Sequence, residues 1–176
     1  MELLVGPIEP QAPNILGAHD EADRPFFRGE HELDIQVAKD FIRCVDYLET
    51  RQDIDSGRIA YYGMSWGGGL GAIIPTVEER LKASILLPGG IDDYGRPEVH
   101  PLNFVGRVKI PTLMLNGRYD SLWPYESAMK PMYDLLRTPD EHKALKLFDT
   151  DHIPPRIEYI KETLAWLDKY LGPVER

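Results

Sequence analysis

The sequence predicts a single α/β domain built on a mostly parallel sheet of about four strands with helices on its flanks. Three observations predict it. Short runs rich in β-branched and aromatic residues alternate with amphipathic helical stretches. Several of those runs are apolar on both faces, as strands covered by two layers are. And 176 residues suffice for one hydrophobic core but are too few for two.

The elements follow in chain order. Residues 1–29 hold Pro7, Pro10, Pro13 and Pro25 with little hydrophobic periodicity, which reads as an irregular N-terminal arm. Residues 30–176 then form the folded part. From 30 to 51, Leu33, Val37, Phe41, Cys44, Val45 and Leu48 recur at steps of three and four, the spacing of one helical face. The turn 53–57 leads into Arg58-Ile59-Ala60-Tyr61-Tyr62, a strand that stops at Gly63. A glycine-rich helix start at Gly67 comes next, then a strand at 83–87 and another at 111–116. A helix over 125–137, a strand over 144–148 and an amphipathic helix over 157–171 complete the alternation.

Composition narrows the function. With 43% hydrophobic and 28% charged residues the chain fits neither the disordered nor the membrane class, and no apolar run reaches the roughly 20 residues that span a bilayer. A net charge of -9, with 20 basic residues scattered among 29 acids, argues against a nucleic-acid surface. The lone Cys44 excludes an intrachain disulfide, and its place on the apolar helix face reads as an inert core position. The opening Met-Glu-Leu-Leu-Val-Gly lacks the basic and long apolar regions of a secretory signal, so the expected location is cytoplasmic, without membrane association. No cluster has metal-ligand spacing and no glycine-rich loop carries the lysine of a phosphate cradle, so neither metal nor cofactor is expected.

The strongest chemical signal is Gly63-Met64-Ser65-Trp66-Gly67, because this Gly-x-Ser-x-Gly lies between an expected strand and an expected helix. The chemistry needs a serine thrust out on a tight turn, and glycines two residues to either side remove side chains that would collide with the flanking elements. A serine hydroxyl is a weak nucleophile near neutral pH. It needs a histidine to take its proton and a carboxylate to orient that histidine. Asp120 sits in the loop leaving the 111–116 strand, and His152 immediately after the 144–148 strand, in the chain order serine, acid, histidine. Of the five histidines, His19 and His31 precede the serine, His100 lies in a proline-flanked loop and His142 before a strand. Asp120 in its Gly-Arg-Tyr-Asp-Ser turn also reads as a turn or cap residue, and Asp149 and Asp151 remain second choices for the acid. The Trp66 N–H, following the nucleophile, is the oxyanion donor that the motif itself supplies. Trp66, Trp123 and Tyr125 each read equally as packing residues or as walls of a substrate cleft.

These motifs, together with Asp46-Tyr47-Leu48-Glu49-Thr50-Arg51 at the end of the first helix, Asn116-Gly117-Arg118-Tyr119-Asp120 and Asp151-His152-Ile153-Pro154, resemble the C-terminal part of an α/β-hydrolase. The similarity is to the dienelactone hydrolase, acetylxylan esterase and prolyl-oligopeptidase-like group, over about residues 30–174. It implies a truncated α/β-hydrolase fold with Ser65 as nucleophile, Asp120 as acid and His152 as base. Dienelactone hydrolases proper carry cysteine at the elbow, so Ser65 favours the esterase branch. The expected activity is hydrolysis of short-chain carboxylic esters through an acyl-enzyme. The alternatives are peptidase or amidase chemistry on the same fold, or a weak or inactive truncated interaction module. Full-length members precede the elbow strand with further strands, and a loop there supplies a second oxyanion donor; residues 1–29 cannot encode them. Loss of one such donor costs on the order of a hundred- to a thousand-fold in turnover. The missing neighbour would leave the 58–62 strand as an exposed edge, the expected site of a homodimer.

Overall fold

The described residues fold around one sheet because short apolar runs bury both faces and satisfy their backbone N–H and C=O groups by pairing side by side. The computed structural model describes residues 24–91 and 97–174. Helix α1 runs Arg24–Glu49, followed by strand β1 (Ala60–Met64), a broken helical segment with α2 (Trp66–Gly69) and α3 (Ile74–Val77), and β2 (Ala83–Leu87). Then come α4 (Leu102–Val105), β3 (Thr112–Gly117), a wide π-helical turn (Tyr125–Met129) leading into α5 (Lys130–Leu135), β4 (Lys143–Phe148) and α6 (Arg156–Leu171). The four strands lie in the order β1-β2-β3-β4 and every pairing is parallel.

Register follows from side-chain alternation. Tyr61, Leu86 and Met114 point to one face, where Val37, Phe41, Val45 and Leu48 of α1, Ile73, Ile74 and Val105 cover them. Ile85, Leu87, Leu113 and Leu115 point to the other, against Tyr159, Trp166 and Leu167 of α6. Strands β2 and β3 are buried along their whole length. Strand β1 is not: Tyr62 and Met64, on the α6 side, are 44% and 46% exposed. Among the described residues β1 has a strand neighbour on one side only.

Several expectations change. The first helix begins at Arg24, inside the stretch expected to be irregular, and Pro25 is compatible because the first helical turn has no backbone partner for its missing N–H; residues 1–23 of the expected arm lie outside the described residues. Cys44 is exposed, as is Leu33. The helix buries the stripe of Val37, Phe41, Val45 and Leu48, and Cys44, one position before Val45, is turned about 100° off it. Strand β1 starts at Ala60 and runs to Met64, through the Gly63 expected to end it, because a glycine that carries no side chain still pairs, here with Leu86. The helix expected over 125–137 is instead the π-helical turn plus α5, which stops at Leu135. Arg80 ties α1 to the loop before β2, donating to Asp46 Oδ1 at 2.9 Å, to Glu49 Oε2 at 2.7 Å and to Glu78 Oε1 at 2.7 Å.

Candidate active site

Parallel strands all end at the same edge, so residues just past β1, β3 and β4 meet there although they are far apart in sequence. Ser65 follows β1 directly, with φ 54° and ψ -117°, and is the one non-glycine with positive φ among the described residues. That strained backbone turns the side chain out between strand and helix. Its own N–H donates to Leu87 O at 3.0 Å, locking the turn to β2. The turn is tight at Gly63, where a Cβ would lie 2.1 Å from Gly67 O. At Gly67 there is room, a Cβ meeting nothing nearer than the Tyr61 hydroxyl at 3.8 Å. The second steric requirement falls on Gly68, where a Cβ would lie 1.8 Å from Pro88 O. The expectation that both motif glycines avoid collisions therefore holds for Gly63 and is corrected at Gly67. The buried Tyr61 hydroxyl, its acidity suppressed by desolvation, donates to Gly67 O and braces the first turn of α2.

The other two loops are zipped to each other. Arg118 N–H donates to Phe148 O at 2.7 Å and Tyr119 N–H to Thr150 O at 3.0 Å. Gly117 allows this crossing, since a Cβ there would lie 1.6 Å from Asp151 O. The crossing sets His152 over Asp120: Nδ1 of His152 lies 2.8 Å from Asp120 Oδ2, and Nε2 lies 2.8 Å from Ser65 Oγ. Asp120 Oδ1 accepts from the N–H groups of Leu122 at 2.9 Å and Trp123 at 3.1 Å. The turn contacts and the histidine contact, which sequence alone left as rivals, are made by the two oxygens of one carboxylate. That carboxylate is buried, while the imidazole keeps 23% of its surface exposed. Asp149 is engaged by Arg118 at 2.8 Å and Asp151 is exposed, so neither second-choice acid meets the histidine. His100 and His142 lie elsewhere, His142 with its Nδ1 3.1 Å from the Tyr170 hydroxyl.

Trp66 opens α2. The N–H groups of Gly68 and Gly69 both reach Ser65 O, and the Trp66 N–H has no backbone acceptor among the described residues, as the first amide of a helix does not. Its indole is 52% exposed, so it is not a packing residue. Tyr119, Leu122 and Ile153, neighbours in sequence of Asp120 and His152, are also exposed. Trp123 is buried and lies against the His152 ring, a contact with no local sequence signal. Among the described residues no group of His, Cys, Asp and Glu is placed to hold a metal, and no helix is long and apolar enough to cross a membrane.

A family model described as PET hydrolase-like matches residues 17–176. The chain belongs to the PET hydrolase-like family. Its relatives include cutinase est2 of Thermobifida alba, 26% identical over 144 residues that cover 76% of this chain and 45% of that one. Another is the bis(hydroxyethyl) terephthalate hydrolase of Streptomyces coelicolor, 27% identical over 140 residues covering 76% and 42%. An acetyl xylan esterase from Paenibacillus sp. R4 superposes with a TM-score of 0.64 at 23% identity, over 77% of this chain and 52% of that one. At that identity the likeness is one of fold, the α/β-hydrolase fold expected from the motifs. This PET hydrolase-like chain spans about half the length of the curated relatives it matches.

Proposed function

We propose that this chain is a serine carboxylic-ester hydrolase in which Ser65, His152 and Asp120 act as a catalytic triad. The observation that carries the reading is the unbroken line from Ser65 Oγ through His152 Nε2 and Nδ1 to Asp120 Oδ2, each link 2.8 Å. His152 takes the Ser65 proton as Oγ attacks the ester carbonyl, and the resulting imidazolium is held by the buried Asp120. Charge gathers on the former carbonyl oxygen, and the N–H of Trp66, the residue that follows the nucleophile and opens α2, is the donor to receive it. His152 then protonates the departing alcohol, and water, deprotonated by the same nitrogen, releases the acid from Ser65.

The names of the relatives, cutinases and a bis(hydroxyethyl) terephthalate hydrolase, favour esters over the amide bonds of a peptidase. Short-chain esters are the proposed substrates, meeting the exposed Trp66, Leu122 and Ile153, which lie within two residues of Ser65, Asp120 and His152 in the sequence. A fluorophosphonate probe tests the reading: labelling located on Ser65 by mass spectrometry supports it, and folded protein that stays unlabelled is the inactive interaction module instead. Nitrophenyl esters of increasing chain length then rank the acyl preference.

We further propose a homodimer through the β1 edge, the apolar Tyr62 and Met64 beside it favouring a covered state. Lys82 N–H donates to Ile59 O and Ser65 N–H to Leu87 O, so alternation turns the backbone groups of Ala60, Tyr62 and Met64 away from β2. Antiparallel pairing of two such edges would bring the second chain beside Ser65, where it can supply a further oxyanion donor. Light scattering after size exclusion should give twice 20.1 kDa, reverting to monomer in Tyr62→Pro; a wild-type monomer at micromolar concentration sinks the dimer.

A further inference from the structure

The imidazole of His152 can turn only about its Cβ–Cγ bond, and in the resting structure hydrogen bonds from its two nitrogens to Ser65 and Asp120 oppose that turn. During turnover the bond to Ser65 is lost while the serine is acylated, and of the two only the Asp120 bond then opposes it. Trp123 lies against the ring, with centroids 5.8 Å apart and planes inclined at 53°. The indole is 6% exposed, and it is seated on two glycines from separate elements. A Cβ at Gly90, in the loop after β2, would lie 2.5 Å from its Cγ, and one at Gly69, in α2, 3.2 Å from its Cζ2. Ala128 and Met129 pack beside it. Its backbone N–H donates to Asp120 Oδ1, so the residue that faces the histidine also anchors the acid.

Resting on the triad assignment above, we propose that Trp123 is a positioning residue: a rigid plate, bedded on Gly69 and Gly90, that keeps the His152 ring in the plane joining Ser65 to Asp120. A flat, stiff side chain with two rotatable bonds suits the task, since a flexible one of equal volume would follow the imidazole instead of confining it. The plate acts on the chemical step, because a histidine held for both acylation and deacylation matters after substrate is bound.

The test compares Trp123→Leu and Trp123→Met, which fill part of the volume without a plane, with Trp123→Phe, which keeps a flat face. Folding is checked by thermal melting, kcat and KM are measured with nitrophenyl acetate, and the low-field proton resonance of His152 Nδ1–H against Asp120 is recorded on the free protein. In Leu and Met variants kcat should fall about ten- to a hundredfold with KM changed far less, and the low-field resonance should broaden or vanish; Phe should restore both in large part. Folded Leu or Met variants with wild-type kcat and an intact resonance overturn the proposal, and so does a loss confined to KM, which would make Trp123 a wall of the substrate cleft. If wild-type protein fails to label with fluorophosphonate, the esterase reading falls by itself, while the resonance still reports whether Trp123 holds the ring.

Discussion

Replacing Asp120 with asparagine separates the two roles of its carboxylate. Oδ1 accepts from the Leu122 and Trp123 N–H groups, and Oδ2 from His152 Nδ1–H. An asparagine carbonyl can keep the first pair, but its NH2 then faces Nδ1 and can only donate to it. The imidazole must answer with the tautomer that carries its proton on Nε2, pointing at Ser65 Oγ. In that state it cannot accept the serine proton. The same exchange in the chymotrypsin triad lowers kcat about 10⁴-fold, or about 5.5 kcal/mol in the barrier, and a loss of that order is expected here. The melting temperature should change little, since both loop N–H groups remain satisfied. Asp120→Ala removes the buried acceptor that the Leu122 and Trp123 N–H groups share, at about 1–3 kcal/mol, which for this size is a melting point lower by roughly 2–12 °C. Turnover of nitrophenyl acetate and calorimetry on the two variants check both halves. A kcat loss under about tenfold in Asp120→Asn, or a worse lesion in Asp149→Asn or Asp151→Asn, would refute the assignment of the acid.

Ser65→Ala and His152→Ala should each abolish esterase turnover, with the double variant scarcely worse than either, because the three residues act as a unit; multiplicative losses in steady-state rates would count against that. Gly67→Ala should fold and keep the elbow, whereas Gly68→Ala, with its Cβ 1.8 Å from Pro88 O, should be lost to the insoluble fraction or melt far lower. Glu78→Gln should cost about 1.5–3 kcal/mol near neutral pH by removing a charged partner of Arg80. Hydrogen bonding to Arg80 holds the folded Glu78 carboxyl below its ordinary value of 4.5. Its stabilisation is therefore fully present above that pH and lost as pH falls through the lower folded value, so the melting-point gap to the variant should close on acidification. A gap that stays constant down to pH 2.5 would contradict it.

Local pattern was enough for much of this molecule. The helix period in α1 and α6, the largely apolar runs of β2 and β3, and the Gly63–Gly67 motif between strand and helix are properties of neighbouring residues, and they point to a parallel sheet whose strand ends gather Ser65, Asp120 and His152. The strand expected around Ala83 to Leu87 is found at Ala83–Leu87, its short apolar run buried on both faces. What neighbours cannot encode is approach between distant segments. Asp120 and not Asp149 meets His152 because the crossing at Gly117 brings the histidine loop over one carboxylate while Arg118 engages the other. Gly68 is needed because Pro88 passes over it, Cys44 is exposed because the covered stripe on α1 runs through Val45 and Leu48 and leaves position 44 turned to its side, and Trp123 meets His152 because Gly69 and Gly90 leave room for the ring. Each of these depends on a backbone that arrives from another part of the chain, and close packing, which tolerates no overlap of even a methyl group, is decided only when the whole sheet has assembled.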